Sequence, residues 1–150
     1  PLRQAVRAEP EVISPNELEA EELVGHEFND IDDRTRAVAE MARLGAGEAI
    51  MTVPDGCFAQ VTEDGSATLY RVRIDEQEAR SSIGSGDAFL AGYVAARYAG
   101  RPPVECLRFG VACGAESTQH VGAGIIDQGK VQRMLDEVES ERLQIPAEIS

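Results

Sequence analysis

Four consecutive residues, Gly84-Ser85-Gly86-Asp87, combine a potential anion cradle with an acid. Two glycines ahead of an apolar, alanine-rich segment let the backbone turn tightly into a helix. Several N–H groups are then left aimed the same way, at the positive end of the helix dipole. Such a terminus holds anions, commonly phosphate. A carboxylate on the first turn, Asp87, stands where it could take a proton from an attacking hydroxyl. The same residues also fit a plainer role, a glycine turn with Asp87 capping a core helix. A second pair, Asn16 and Glu19, has capping-box spacing: an N-cap side chain with an acid three residues on. Either the pair ties off a helix end, or its amide and carboxylate face the tip of the preceding strand, where open α/β sheets bind ligands. Spacing alone leaves both readings open.

The elements that must position these groups follow from apolar periodicity and turn residues. Residues 2–8 read as the tail of an amphipathic helix that Glu9-Pro10 ends, and 11–14 as a short strand. A helix over 17–24 is stopped by Gly25. Asp32 or Asp33 caps a helix over 34–44, with Val38, Met41, Ala42 and Gly45 marking its inner face and end. Residues 48–53 form a mostly apolar central strand, as buried parallel strands do. Strands over 57–62 and 67–74 flank the turn Glu63-Asp64-Gly65-Ser66, a hairpin signal. A helix over 87–99 carries small residues (Ala88, Ala91, Gly92, Ala95, Ala96) that would permit close approach to a sheet. Pro102-Pro103 opens a helix over 104–118 with Leu107, Val111, Ala112 and Ala115 on one stripe. Gly122-Ala123-Gly124 is a loop. A last helix over 128–139 turns Val131, Met134, Leu135 and Val138 inward, followed by a tail over 140–150. Alternating strands and helices predict a layered α/β domain with a mainly parallel sheet.

Composition narrows the chemistry. The 150 residues suffice for one domain with a real core. A net charge of −13 argues against nucleic acid and against anionic membrane surfaces. No apolar run approaches the roughly 20 residues of a membrane span, and no signal-peptide pattern opens the chain. Cys57, Cys106 and Cys113 lack C-x-x-C spacing and read as buried, reduced thiols of a cytoplasmic protein. His26 and His120 have no ligand partner at metal spacing. The chain opens without Met inside a helix-like pattern, which predicts a fragment or processed product.

Two common phosphate motifs are absent. No G-x-x-x-x-G-K-[ST] occurs, and Gly84-x-Gly86 is followed by Phe89 where the dinucleotide fingerprint needs glycine. A Rossmann dehydrogenase is therefore disfavoured. A two-glycine cradle with a first-turn aspartate suits phosphoryl transfer to an alcohol, which needs donors for phosphate charge and a base for the hydroxyl.

Gly84-Ser85-Gly86-Asp87-Ala88-Phe89-Leu90-Ala91-Gly92 resembles the signature of the ribokinase-like, phosphofructokinase B (PfkB) carbohydrate kinases. Pro15-Asn16-Glu17-Leu18-Glu19 is similar to that family's P-N-x-x-E segment. Residues 108–115 and the Gly122–Gly124 loop resemble its adenine-side helix and loop. The resemblance covers nearly the whole chain but only the C-terminal half of a family member. It implies a three-layer α/β/α fold in which residues 1–150 form the nucleotide-binding and catalytic portion, without the sugar-binding half and its β-sheet lid. It further implies Asp87 as catalytic base, with the backbone of Gly84, Ser85 and Gly86 as the anion hole. Asn16 and Glu19 would organise Mg2+ and phosphates, and Thr52, Gly56, Val111, Gly122 and Gly124 would border ATP. Ser81-Ser82-Ile83, ahead of the cradle, resembles the S-T-V of kinases acting on hexose monophosphates. The implied substrate is fructose 1-phosphate, fructose 6-phosphate or tagatose 6-phosphate, as in the 1-phosphofructokinase and tagatose-6-phosphate kinase branch. Two departures stand out. Ser14 replaces the branch's Lys before Pro-Asn, and Thr52-Val53-Pro54-Asp55-Gly56 lacks one glycine of the family's nucleotide turn. They motivate an alternative, a catalytically degenerate nucleotide- or metabolite-binding module. The half-length resemblance implies an inactive isolated chain, an exposed apolar surface and a homo-oligomer.

Overall fold

The computed structural model describes residues 12–74, 85–117 and 128–144. The expected helix over 2–8 lies outside them, as do Gly84, Gly122 and Gly124. The chain divides into two compact units, Pro1–Val53 with Phe58–Arg71 and Arg142–Ser150, and Pro54–Cys57 with Val72–Glu141. Five strands make one sheet in sequence order: β1 (Val12–Ile13), β2 (Glu48–Val53), β3 (Gly56–Glu63), β4 (Ser66–Arg73) and β5 (Glu139–Leu143). β1 and β2 are parallel, with Val12 opposite Glu48 and Ile13 opposite Ala49. Two-residue connections, Pro54-Asp55 and Asp64-Gly65, make β2, β3 and β4 an antiparallel run, because parallel neighbours need a long crossover. The sheet is therefore mixed: a parallel pair extended by hairpins.

In the first unit the β1–β2 crossover is helical. α1 (Glu17–Val24) ends at Gly25, whose φ of 95° is the left-handed value a C-terminal glycine adopts without strain. α2 spans Ile31–Met41 and runs on into a π-helical turn, Ala42–Ala46. Its N-cap is Asp30, not Asp32 or Asp33 as expected. The Asp33 N–H donates to Asp30 Oδ1 at 2.8 Å, while the Asn29 N–H donates to Asp33 Oδ2 at 2.9 Å. Asp33 is thus the acid of the cap, three residues inside it, and the helix starts earlier than the apolar period suggested. Ile13, Leu23, Phe28, Val38, Met41 and Met51 join one core cluster with Phe58 and Leu69. Each such side chain contributes roughly 1.5–3 kcal/mol of burial. Ile50, between Ala49 and Met51, points to the opposite face and is just as buried. At the β3–β4 turn Asp64 (φ 51°) and Gly65 (φ 79°) are both left-handed, the type I′ geometry that matches strand twist.

In the second unit α3 (Ser85–Tyr98) packs on α4 (Pro103–Ser117), which packs on α5 (Gln128–Leu135). Pro103 occupies the first helical position, where its missing N–H costs nothing. The small residues of α3 serve a helix contact. A Cβ on Gly92 would lie 2.7 Å from Cys113 Sγ, and one on Gly110 3.0 Å from the Phe89 carbonyl oxygen. Ala88 and Ala96 share that buried side, while Ala91 and Ala95 are exposed beside Leu90, Val94 and Tyr98. The last helix ends at Leu135 rather than 139, and 139–143 is strand rather than tail. Among the described residues no helix is long and apolar enough to cross a membrane.

Candidate functional site

In the first unit, Asn16, Glu19 and Thr52 come together at the carboxyl ends of the parallel pair. Asn16 bridges Thr52 in parallel register, and the Thr52 N–H donates to the Pro15 carbonyl at 2.9 Å. The Thr52 hydroxyl reaches the same carbonyl more loosely, at 3.5 Å. Asn16 is the N-cap of α1 in a complete capping box. The Glu19 N–H donates to Asn16 Oδ1 at 2.9 Å, and the Asn16 N–H donates to Glu19 Oε1 at 3.0 Å. The structural role of this pair is therefore fulfilled. The box makes no demand on Glu19 Oε2 or on the Asn16 amide nitrogen, and both residues are exposed. Cap and ligand group are compatible in the same two side chains. An ion pair between Arg34 Nε and Glu17 Oε1, 2.6 Å apart, fixes α1 against α2.

In the second unit, Ser85, Gly86 and Asp87 are the first three residues of α3. Asp87 is inside the helix rather than at its N-cap, so the plain capping role is not the one it takes. Gly86 and Asp87 are exposed, and a Cβ at Gly86 would meet nothing within 4 Å. The first-turn N–H groups of a helix have no intrahelical acceptors. The next two residues, Ala88 and Phe89, are buried, and Phe89 stacks on Tyr93 with ring centroids 6.4 Å apart. The exposed acid thus rides on an anchored turn, as a positioned catalytic group requires. A chain of net charge −13 offers little bulk attraction for phosphate, which N–H groups at the start of a helix can supply locally.

Gly56 and Val111 both occupy packed places in the framework. Gly56 opens β3 with φ 157°, and a Cβ there would fall 1.9 Å from the Val72 carbonyl oxygen. The hairpin itself demands glycine. Val111 is 3% exposed, in the packed side of α4. Gly84, Gly122 and Gly124 lie outside the described residues.

The thiols are shielded from solvent. All three cysteines are free and buried. Burial, with the Glu116 charge adding to it, pushes Cys113 up to about 11, and burial pushes Cys57 higher still. Among the described residues no group of three His, Cys, Asp or Glu could hold a metal ion directly. Sequence reasoning missed a cleft of about 530 Å³ beside the β3–β4 hairpin, lined in part by Gln60, Glu63, Thr68 and Arg142. There Glu63 Oε2 accepts from the Tyr70 hydroxyl at 2.6 Å and faces Arg142 at 3.5 Å. The contact joins residues far apart in the chain, and no local pattern signals it.

Solved structures share this fold. Escherichia coli phosphofructokinase-2 superposes with a TM-score of 0.79 at 24% identity, over 90% of this chain and 43% of that one. Arabidopsis thaliana ribokinase complexed with ribose and ATP superposes with a TM-score of 0.70 at 25% identity, over 89% and 43%. The fold is of the ribokinase-like α/β class. The 1-phosphofructokinase of Borreliella burgdorferi is 26% identical over 141 residues, which cover 94% of this chain and 45% of that protein. Residues 2–128 match the family described as pfkB family carbohydrate kinase, and the chain belongs to that family. It spans a little under half the length of these relatives.

Proposed function

We propose that this chain supplies the nucleotide-side, catalytic portion of an ATP- and Mg2+-dependent sugar-phosphate kinase of the phosphofructokinase type. The observation that carries the reading is the exposed residue Asp87 on the anchored first turn of α3, among N–H groups that have no intrahelical acceptors. Asp87 takes the proton of the acceptor hydroxyl as its oxygen attacks the terminal phosphorus of the nucleotide. The bond to the bridging oxygen breaks, and ADP leaves. The backbone of Gly84, Ser85 and Gly86 holds the charge of the transferring group, donors that need no reorganisation during the step.

Glu19 and Asn16 fit Mg2+ held through water. Oxygen ligands suit this ion, it keeps several waters, and the capping box leaves one Glu19 oxygen unclaimed. When bound, Mg2+ supplies charge neutralisation for the phosphates. Thr52, Gly56, Val111, Gly122 and Gly124 are the residues assigned to ATP. The acceptor is fructose 1-phosphate, fructose 6-phosphate or tagatose 6-phosphate. The sugar-binding half and lid are missing from residues 1–150, so the chain alone is inactive. The reduced, buried thiols support a cytoplasmic location. A homo-oligomer is supported by the exposed Leu90, Val94 and Tyr98 of α3, Tyr98 being 94% exposed, and Escherichia coli phosphofructokinase-2 has a tetrameric form.

A second reading, nucleotide or metabolite binding without turnover, draws on Ser14 and on Gly56, whose lack of a side chain is already required by Val72. ADP release by the full-length protein, assayed with each of the three sugar phosphates, separates the two. Sugar-dependent release supports the kinase. ATP binding without it supports the binding module.

A further inference from the structure

We infer that Gly110 is a positioning residue for Asp87: its missing side chain fixes how closely the start of α3 lies against α4. A Cβ at Gly110 would fall 3.0 Å from the Phe89 carbonyl oxygen, and 3.1 and 3.2 Å from Cε2 and Cδ2 of the Phe89 ring. One methyl would therefore press on the backbone and the side chain of the same residue. Phe89 stands two positions after Asp87 in α3. At 3.6 residues per turn the two project about 200° apart around the helix and are about 3 Å apart along it. Phe89 is accordingly buried beside α4 while Asp87 is exposed. Whatever moves the Phe89 backbone off α4 carries Asp87 outward with it.

The ring has little room to yield instead. It lies parallel to the Tyr93 ring, within 5°, and Tyr93 is itself buried. The Arg97 guanidinium sits 5.9 Å from the centroid of Tyr93. Phe89, Tyr93 and Arg97 thus follow one another at four-residue steps along α3, each backing the one before. The displacement passes to the backbone of the first turns. A general base works only within hydrogen-bond reach of its proton, and a misplacement of about 1 Å can cost about 10²-fold. A shift of a few tenths of an ångström, which contacts of this closeness demand, should cost about three- to tenfold. The inference rests on the reading of Asp87 as the base.

The test is steady-state kinetics with thermal unfolding of the full-length protein carrying Gly110→Ala, and Gly92→Ala is the matched control. Gly92 belongs to the same helix contact, five residues beyond Asp87, and a Cβ there would meet Cys113 Sγ at 2.7 Å. Gly110→Ala should lower kcat about three- to tenfold and leave KM for ATP within about twofold. Gly92→Ala should lower the unfolding midpoint at least as much, yet hold kcat within about twofold. Phe89→Leu disturbs the Gly110 contact by removing the ring rather than crowding it. It too should lower kcat with KM for ATP unmoved, and it decides the matter should Gly110→Ala fail to fold. Wild-type kcat in the deciding variant overturns the inference and leaves the kinase reading standing. So does an equal loss of kcat in Gly92→Ala, which would report loosened packing alone. So does a loss confined to KM for ATP, which would run through the neighbouring Val111. Near-normal turnover by Asp87→Ala, or a wild-type protein without sugar-dependent turnover, overturns the underlying reading and the inference with it.

Discussion

Asn16 and Glu19 each accept the other's backbone N–H, at 2.9 and 3.0 Å, and so close the first turn of α1 at the carboxyl end of the parallel strand pair. The same two side chains are the proposed Mg2+ and phosphate groups, and substitution separates the roles. Asn16→Ala should lower stability by about 1 kcal/mol in urea unfolding, the usual cost of losing an N-cap. Glu19→Gln keeps an oxygen for the Asn16 N–H but loses the charge. Its unfolding midpoint should stay near wild type while the Mg2+ concentration needed for half-maximal activity rises several-fold. An unchanged Mg2+ requirement would reduce Glu19 to a cap.

Two glycines should answer alanine in opposite ways. At Gly56 the new Cβ would sit 1.9 Å from a backbone oxygen that cannot move without breaking the hairpin. Gly56→Ala should therefore cost more than about 3 kcal/mol or abolish folding, as strain at a constrained backbone does. At Gly86 nothing lies within 4 Å, and alanine is the better helix former by roughly 0.5–1 kcal/mol. Gly86→Ala should keep or raise the unfolding midpoint, yet lower kcat by crowding the phosphoryl group. Activity equal to wild type would remove Gly86 from the anion hole.

The α3–α4 contact offers a double-mutant cycle. Gly92→Ala places a methyl 2.7 Å from Cys113 Sγ and should destabilise by roughly 1–3 kcal/mol, the range for overpacking. Adding Cys113→Ala removes that sulfur, and part of the loss should return as a coupling energy. Strict additivity in thermal unfolding would show that the helices yield elsewhere.

Alkaline pH should unfold the protein gradually. Cys113 is raised from its ordinary value near 9 to about 11 by burial and the Glu116 charge. Tyr70 is also raised, first by burial and then by its bond to Glu63. A raised pKa means that the folded state binds the proton longer. For Cys113 the contribution is complete below pH 9 and is lost between about 9 and 11, at up to ~1.4 kcal/mol per pH unit, while that of Tyr70 is complete below its ordinary value and is lost above it. Urea midpoints in that window should fall less steeply in Cys113→Ala. A slope identical to wild type would show that Cys113 titrates without linkage to folding.

Much of the fold could be read locally because the signals were local. Asn16 and Glu19 are three residues apart, Gly25 stops α1 where expected, and Asp64-Gly65 forms the type I′ turn its composition favours. The misses have physical causes. Asp30, Asp32 and Asp33 compete for one cap, and the choice was made by which N–H groups Asp30 and Asp33 accept. β5, Glu-Ser-Glu-Arg-Leu, has no apolar alternation. Its first four residues are exposed, and its contacts include Arg73 with Glu139 at 3.6 Å and Arg142 with Glu63 at 3.5 Å. Those partners lie 66 or more residues away, beyond any windowed pattern. In the candidate site the place of Asp87 on the first turn of α3 was legible from its glycines. The structural demand on Gly56 was not, because it comes from a carbonyl on the neighbouring strand.

The central claim is that Asp87 is the general base of a sugar-phosphate kinase. Its most direct test is kcat of the full-length Asp87→Ala protein with saturating ATP and sugar phosphate, alongside its unfolding midpoint. Because Asp87 is exposed on a turn anchored by Ala88 and Phe89, the midpoint should stay within a degree or two of wild type. Loss of a positioned base should lower kcat by roughly 10²–10⁴-fold. Near-normal turnover by a folded Asp87→Ala protein would contradict the account.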